Sequence, residues 1–353
     1  MGGGPLTDYG RSLFATEITA RTFVSNKTTD DELGDRAGFL GSYELPYWLR
    51  PGFKYRGLFL KSNLGAKDSV DRFIQMQADV NVAVALDKKN NAVLVASYGY
   101  VPTPRRFATS SATEKPANWI SKEIYFRWQV LKNFWTYIGL MDKAFGIRHP
   151  DHTAFSRGYS GFGLNQNDQT HGLLLHYNQK RYDLVSHIFM GNLNQDKELR
   201  QAGFSLMGEY FVTEAIGLGS SILRSQNEFV KWERTALHSK VSFAKGKSVL
   251  AEIGTRTDTP LQSNTQDAQT GFYTYIQTMI NIDRGYNFFS TYQTYKDTLT
   301  SDGTTRNRLG VGLLMFPWYK TEFRLEILND RTVIPTNTSG DTWSGLAQVH
   351  LSW

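Results

Sequence analysis

The chain has 353 residues, no Cys, and 39 Lys and Arg against 33 Asp and Glu, a formal net charge of +6. Without Cys there is no disulfide framework, no thiolate zinc site and no thioether-attached haem, and basic residues spread along the chain leave no nucleic-acid footprint. Aromatic residues reach 14%, which with the many β-branched residues excludes disorder, while a mean hydropathy of −0.40 is too polar for a helical membrane protein.

Segment 1–12, opening MGGGPLTDYG, shows no secretory signal and reads as a mature start. Beyond it the dominant signal has period two. Segments 13–24, 37–46 and 52–64 are the first expected strands, with Glu17 and Arg21 on the polar side of the first. Over 71–87, Ile74, Met76, Ala78, Val80, Val82 and Val84 share one face, and Gln75, Gln77, Asp79 and Asn81 share the other. A helix would scatter these residues around its circumference, whereas a strand separates them. The turn DKKNN leads to 91–101, and 119–131 then sets Ile124, Phe126, Trp128 and Val130 against Glu123, Tyr125, Arg127 and Gln129. Strand 134–145 precedes the longest connection, 146–169. Strands 170–179, 182–192, 200–212 and 215–224 follow, with Asp183 and Glu209 on their polar faces. Segments 235–244 and 248–257 set Leu237, Val241, Val249 and Ile253 against His238, Lys240, Glu252 and Arg256. After 270–282 and 286–297, segments 306–316, 320–329 and 342–353 set Leu309, Phe323, Leu325 and Ile327 against Arg308, Glu322, Arg324 and Glu326.

These segments predict an all-β chain, an antiparallel up-and-down barrel of about 18 strands, many near the ~9–11 residues a tilted strand needs to cross a bilayer. Short turns mostly alternate with long connections, and no linker or composition shift divides the chain, so 1–353 is one domain. Trp119, Trp135, Trp318 and Trp353 fall near strand ends, where rings with a polar edge favour the headgroup layer, so they are expected to anchor the barrel in its membrane. The competing architecture, a large soluble β-sandwich or propeller, is disfavoured by strand length, girdle placement and the terminal Trp.

The closing residues GLAQVHLSW alternate Val349, Leu351 and Trp353 with Gln348, His350 and Ser352. They resemble the last strand of Gram-negative outer-membrane barrels, whose terminal aromatic is read by the barrel-assembly machinery. With the hairpin rhythm, nearly the whole chain resembles the porin-like family of outer-membrane barrels. The resemblance implies short periplasmic turns, long external loops, an outer-membrane location with both termini periplasmic, an oily exterior and a polar lumen. A small barrel fills with side chains, whereas one of about 16–18 strands leaves an aqueous channel.

Fourteen charged residues are expected to line that channel: Glu17, Arg21, Asp79, Glu123, Arg127, Asp183, Glu209, Lys240, Glu252, Arg256, Arg308, Glu322, Arg324 and Glu326, eight acidic and six basic. Opposed acidic and basic rows would orient polar solutes, although the same charges serve equally to solvate the wall or pair across strands. The connection 146–169 holds Arg148, His149, Asp151, His152 and Arg157, and a long loop at a wide mouth either folds inward to constrict the channel or stays outside in solvent. His149, Asp151 and His152 lack the spacing that places two imidazoles on one helix face, so no metal site is expected. No cofactor motif and no G-x-S-x-G elbow occurs, so the chain is not expected to be an enzyme. The expected work is passive diffusion of small hydrophilic solutes or ions. Two alternatives remain: a scaffold sheathing a partner such as a multihaem cytochrome or a lipoprotein plug, and a structural homo-oligomer joined through faces with small residues such as Ala78 and Ala202.

Overall fold

The structure is a computed structural model, and it describes residues 48–64, 69–89, 91–107, 115–121, 123–147, 154–158, 169–262, 267–283, 285–300, 303–318, 321–334 and 340–352. These form strands β1 (Leu49–Ser62), β2 (Val70–Ala85), β3 (Ala92–Phe107), β4 (Lys115–Ile120), β5 (Ile124–Leu131), β6 (Phe134–Asp142), β7 (Gln169–Asn178), β8 (Tyr182–Phe189) and β9 (Ala202–Thr213). The series continues with β10 (Ile216–Gln226), β11 (Val230–Ala244), β12 (Lys247–Pro260), β13 (Gln269–Asp283), β14 (Tyr286–Lys296), β15 (Thr305–Trp318), β16 (Thr321–Val333) and β17 (Gly340–Ser352). A single helical turn, α1 (Phe155–Gly158), lies between β6 and β7.

Successive strands pair antiparallel, except that β4 and β5 share no ladder, and β17 pairs back to β1 from Lys54↔Ser352 to Ser62↔Ser344. The sheet is therefore a closed barrel. Closure gives the sheet no free first or last strand, which is the condition for a sheet to stand in hydrocarbon. β4 and β5 both pair with β3, at its upper and lower ends, so they are two lengths of one stave. Seventeen strands thus make a ring of sixteen staves.

Sixteen of the expected strands coincide with these staves, including 119–131, which is broken into β4 and β5 around Glu123. The expected strands 13–24 and 37–46, with Glu17 and Arg21, lie outside the described residues, and the ring closes without them.

Alternation decides which side chains face out. On β11 and β12, Leu237 and Ile253 are exposed at 63% and 52%, while their chain neighbours His238 and Glu252 are buried at 6% and 5%. The outer surface is therefore apolar and the inner one polar, the reverse of a soluble barrel. The phase is interrupted once on β2, where the register to β1 shifts at Arg56/Gly57 and Gly57 faces Gln75 while Arg56 faces Gln77. Met76 is the extra residue of this bulge, and beyond it Phe73 instead of Ile74 becomes the most exposed apolar side chain. The unbroken apolar row Ile74–Met76–Ala78 expected from the sequence is thus corrected. Two-residue turns join β5 to β6 and β11 to β12, with Asn133 (φ 65) and Gly246 (φ 72) supplying the left-handed backbone that such hairpins require.

Candidate functional site

The described parts of the β6–β7 connection, 143–147 and 154–158, lie inside the barrel. Phe145 and Phe155 pack with Phe189, Leu223, Ala236, Tyr273 and Tyr295, side chains of the walls β8, β10, β11, β13 and β14. α1 rests on β12, β13 and β14, half a circumference from where the connection starts. Three wall side chains hold its backbone. Ser221 Oγ accepts from the Gly146 N–H at 3.0 Å, a Glu252 carboxylate oxygen accepts from the Ile147 N–H at 2.5 Å, and Gln293 Oε1 accepts from the Phe155 N–H at 2.7 Å. Gly146 is required here: its φ is +59, and a Cβ would sit 2.7 Å from the Glu252 carboxylate. Apolar rings bury against the wall while the amides of Gly146, Ile147 and Phe155 each meet a side-chain acceptor, so these groups are satisfied away from water.

Arg157 of α1 is buried at 4%, and the Arg308 guanidinium of β15 stacks 4.6 Å from the Phe155 ring. Arg148, His149, Asp151 and His152 lie outside the described residues. No metal-holding group of His, Asp and Glu occurs among the described residues.

The wall charges pair along the wall. Arg308 lies opposite Asp330 and bonds it at 2.6 Å. Arg324 meets Glu326 two residues on at 2.7 Å, and Arg256 meets Asp258 in the same way. Arg234 reaches Asp258 at 2.6 Å, and Lys240 reaches Glu209 at 2.7 Å across the glycine-lined strand β10. Neighbours two apart or directly across a ladder lie within reach of one another, so opposite charges on one face find each other. Among the described residues these charges meet in lateral pairs, one of the two arrangements expected of them. Asp79, Asp183, Glu209 and Glu326 are buried on this inner face. His176 meets Asp183 at 2.5 Å, and His350 lies 3.7 Å from Glu322. Glu123 sits in the gap between β4 and β5, where its N–H bonds Ser97 Oγ at 3.0 Å.

The four expected anchors divide. Trp119 is 58% exposed on the outer face and stacks on Tyr98 at 5.5 Å. Trp135 faces inward, opposite Gln129 and His176, with the Arg127 guanidinium 4.9 Å from its ring. Its expected anchoring role is corrected: one step in a strand changes the face, and Phe134 takes the outer position. The side chain of Trp318, and all of Trp353, lie outside the described residues.

Sequence reasoning did not single out Arg234, Asp258, Tyr273, Gln293 or Ser221. Parity places Arg234, Asp258 and Tyr273 inward, but their importance comes from the strand and loop that cross beside them. Arg234 is fully buried, with Nη1 donating to the carbonyls of Glu233 and Thr257 at 3.1 and 2.9 Å. Arg234→Leu should cost about 3 kcal/mol, because it breaks a buried ion pair, leaves Asp258 to Arg256 alone and takes a donor from the carbonyls of Glu233 and Thr257. The check is the urea midpoint of the folded barrel in detergent, with surface Lys180→Leu as a neutral control.

No protein-family model and no curated protein matches the sequence. Solved structures do match its shape. OprB of Pseudomonas putida aligns with a TM-score of 0.65 at 9% identity, over 87% of this chain and 94% of its own. OmpT of Vibrio cholerae in a trimer form aligns at 0.63 with 7% identity, over 87% and 100%. The anion-selective porin of Comamonas acidovorans aligns at 0.57 with 6% identity, over 86% and 99%. The chain therefore has the fold of the porin-like outer-membrane β-barrels.

Proposed function

We propose that this chain is an outer-membrane channel for passive diffusion of small hydrophilic solutes or ions. The observation that carries the reading is a closed ring of sixteen staves, apolar outside and charged inside. A ring of that size is too wide to be filled by its own wall side chains. The β6–β7 segment acts as the constriction, with Arg157 from α1 and Arg234, Glu252, Arg256 and Arg308 from the wall setting the field at the narrow point. Asp79, Glu123, Arg127, Lys240, Glu322 and Arg324 line the remaining wall. Diffusion needs no covalent step and no cofactor. Both termini lie on the periplasmic side in this reading, and Trp119 marks one headgroup layer.

The scaffold alternative needs a bore clear enough to thread a cytochrome or a plug. Phe145 and α1 already fill that space against β11–β14, which favours the channel.

Purified protein in a planar bilayer should give stepwise ionic conductance. Bilayers that stay silent in both orientations and at every voltage would overturn the reading.

A further inference from the structure

A run of ionisable side chains crosses the inner wall and ends on the β6–β7 segment. It starts with His176 and Asp183, which meet at 2.5 Å. Asp183 stands directly opposite Glu209 on the next strand. Glu209 reaches across β10 to Lys240 at 2.7 Å and to His238 at 3.6 Å. Gly219 makes that reach possible, since a Cβ there would fall 2.1 Å from His238 Nε2. His238 in turn stands directly opposite Glu252.

Glu252 is 5% exposed and uses both oxygens: one accepts from the Ile147 N–H, and the other accepts from the Tyr273 O–H at 2.9 Å. Of the three side chains that hold the segment's backbone, Ser221 and Gln293 are neutral at any pH, and Glu252 alone can change charge. Among the described residues, ionisable groups face it from three elements. His238 faces it from β11, Tyr273 from β13, and the charge of Arg157 reaches it from α1. His238 is faced by Glu209 from β9 and Glu252 from β12, by Lys240 on its own strand, and by a glycine from β10. Asp183 lies behind Glu209.

We propose that Glu252 is the positioning residue of the β6–β7 segment and that its grip is coupled to protons through His238 and Glu209. As a carboxylate, Glu252 takes charge-assisted hydrogen bonds from Ile147 and Tyr273, roughly twice as strong as neutral ones. His238 stands between the carboxylates of Glu209 and Glu252, so any charge it carries acts on both. Acidification neutralises Glu252, which turns a strong acceptor into a weaker one that also carries a donor. The segment then loosens from β12 while Ser221 and Gln293 keep it near the wall. The inference rests on the channel reading for its consequence, a conductance that changes with pH. The latch itself is a statement about where the segment sits.

The test uses the full-length folded barrel with Ala154→Cys, the only thiol in a chain that has none. Ala154 is wholly buried beside α1. A water-soluble maleimide is the probe, its rate expressed relative to the same variant in urea, and heat-modifiable gel mobility verifies folding. In the A154C parent, labelling should be slow at neutral pH and accelerate on acidification. Adding Glu252→Gln should raise the neutral-pH rate about tenfold, the effect of losing one charged hydrogen bond, and flatten the pH profile. His238→Gln removes the ionisable group that stands between the two carboxylates and should move the pH at which acceleration begins. If E252Q does not fold, Glu252→Asp serves instead: it keeps the charge but shortens the reach, so it should speed labelling and retain pH dependence. E252Q or E252D labelling like the parent at every pH, or an unchanged pH profile in H238Q, would overturn the proposal. A silent wild-type barrel would remove the channel reading, and the labelling ratios would still decide the latch.

Discussion

Leu313→Arg should destabilise the folded barrel by about 2 kcal/mol, whereas Leu314→Gln, one residue further, should cost less than about 0.5 kcal/mol. The two leucines are adjacent on β15 and identical in composition terms, yet they occupy opposite media. Leu313 pairs with Phe288 and Leu325, all three exposed on the outer face. A guanidinium there must enter hydrocarbon or drag water in with it. Leu314 pairs with Asn287 and Arg324 on the inner face, where an amide gains partners. Urea titration of barrels folded into lipid vesicles measures both. Equal costs at the two positions would mean that the faces are not lipid and lumen, and the membrane reading would fail with them.

The second large effect is on conductance. Replacing 154–158 by a Gly-Ser stretch should raise single-channel conductance at least about twofold, because a helical turn with side chains is roughly 10 Å across and leaves the narrowest section. The same change should weaken ion selectivity, since it removes Arg157 and frees the Arg308 face that now stacks on Phe155. Phe155→Ala alone should give an intermediate increase, because the Phe155 N–H keeps its bond to Gln293. A replacement with wild-type conductance would show that this segment does not limit flow. The β6–β7 segment would then be a packing element, and the narrow point would lie elsewhere in the bore.

The strands were legible because side-chain direction in a strand has period two, and a barrel between oil and water makes that period visible. Leu237 against His238 and Ile253 against Glu252 are the clearest cases, and the structure places each as its parity demands. The bulge at Met76 was not legible, because an extra residue in one strand shows only against its partner's register. Trp135 was misassigned for a related reason. Nearness to a short turn suggested a girdle, but the face it occupies follows from its pairing with Gln129 and His176.

The candidate site divides along the same line. Arg157 was singled out from its loop, and Glu252, Arg256 and Arg308 from their parity, without any indication that they meet. Residues 157 and 252 are far apart in sequence, and only ring closure brings β12–β14 across from the end of β6. Alternation, hairpin rhythm and the inventory of inward charges can be read along the chain, because these are local properties of an extended backbone. Closure into sixteen staves, entry of the longest connection and the docking of its backbone on Glu252 emerge only on folding. These depend on contacts between distant segments, and no short window of sequence encodes which far wall a loop will reach.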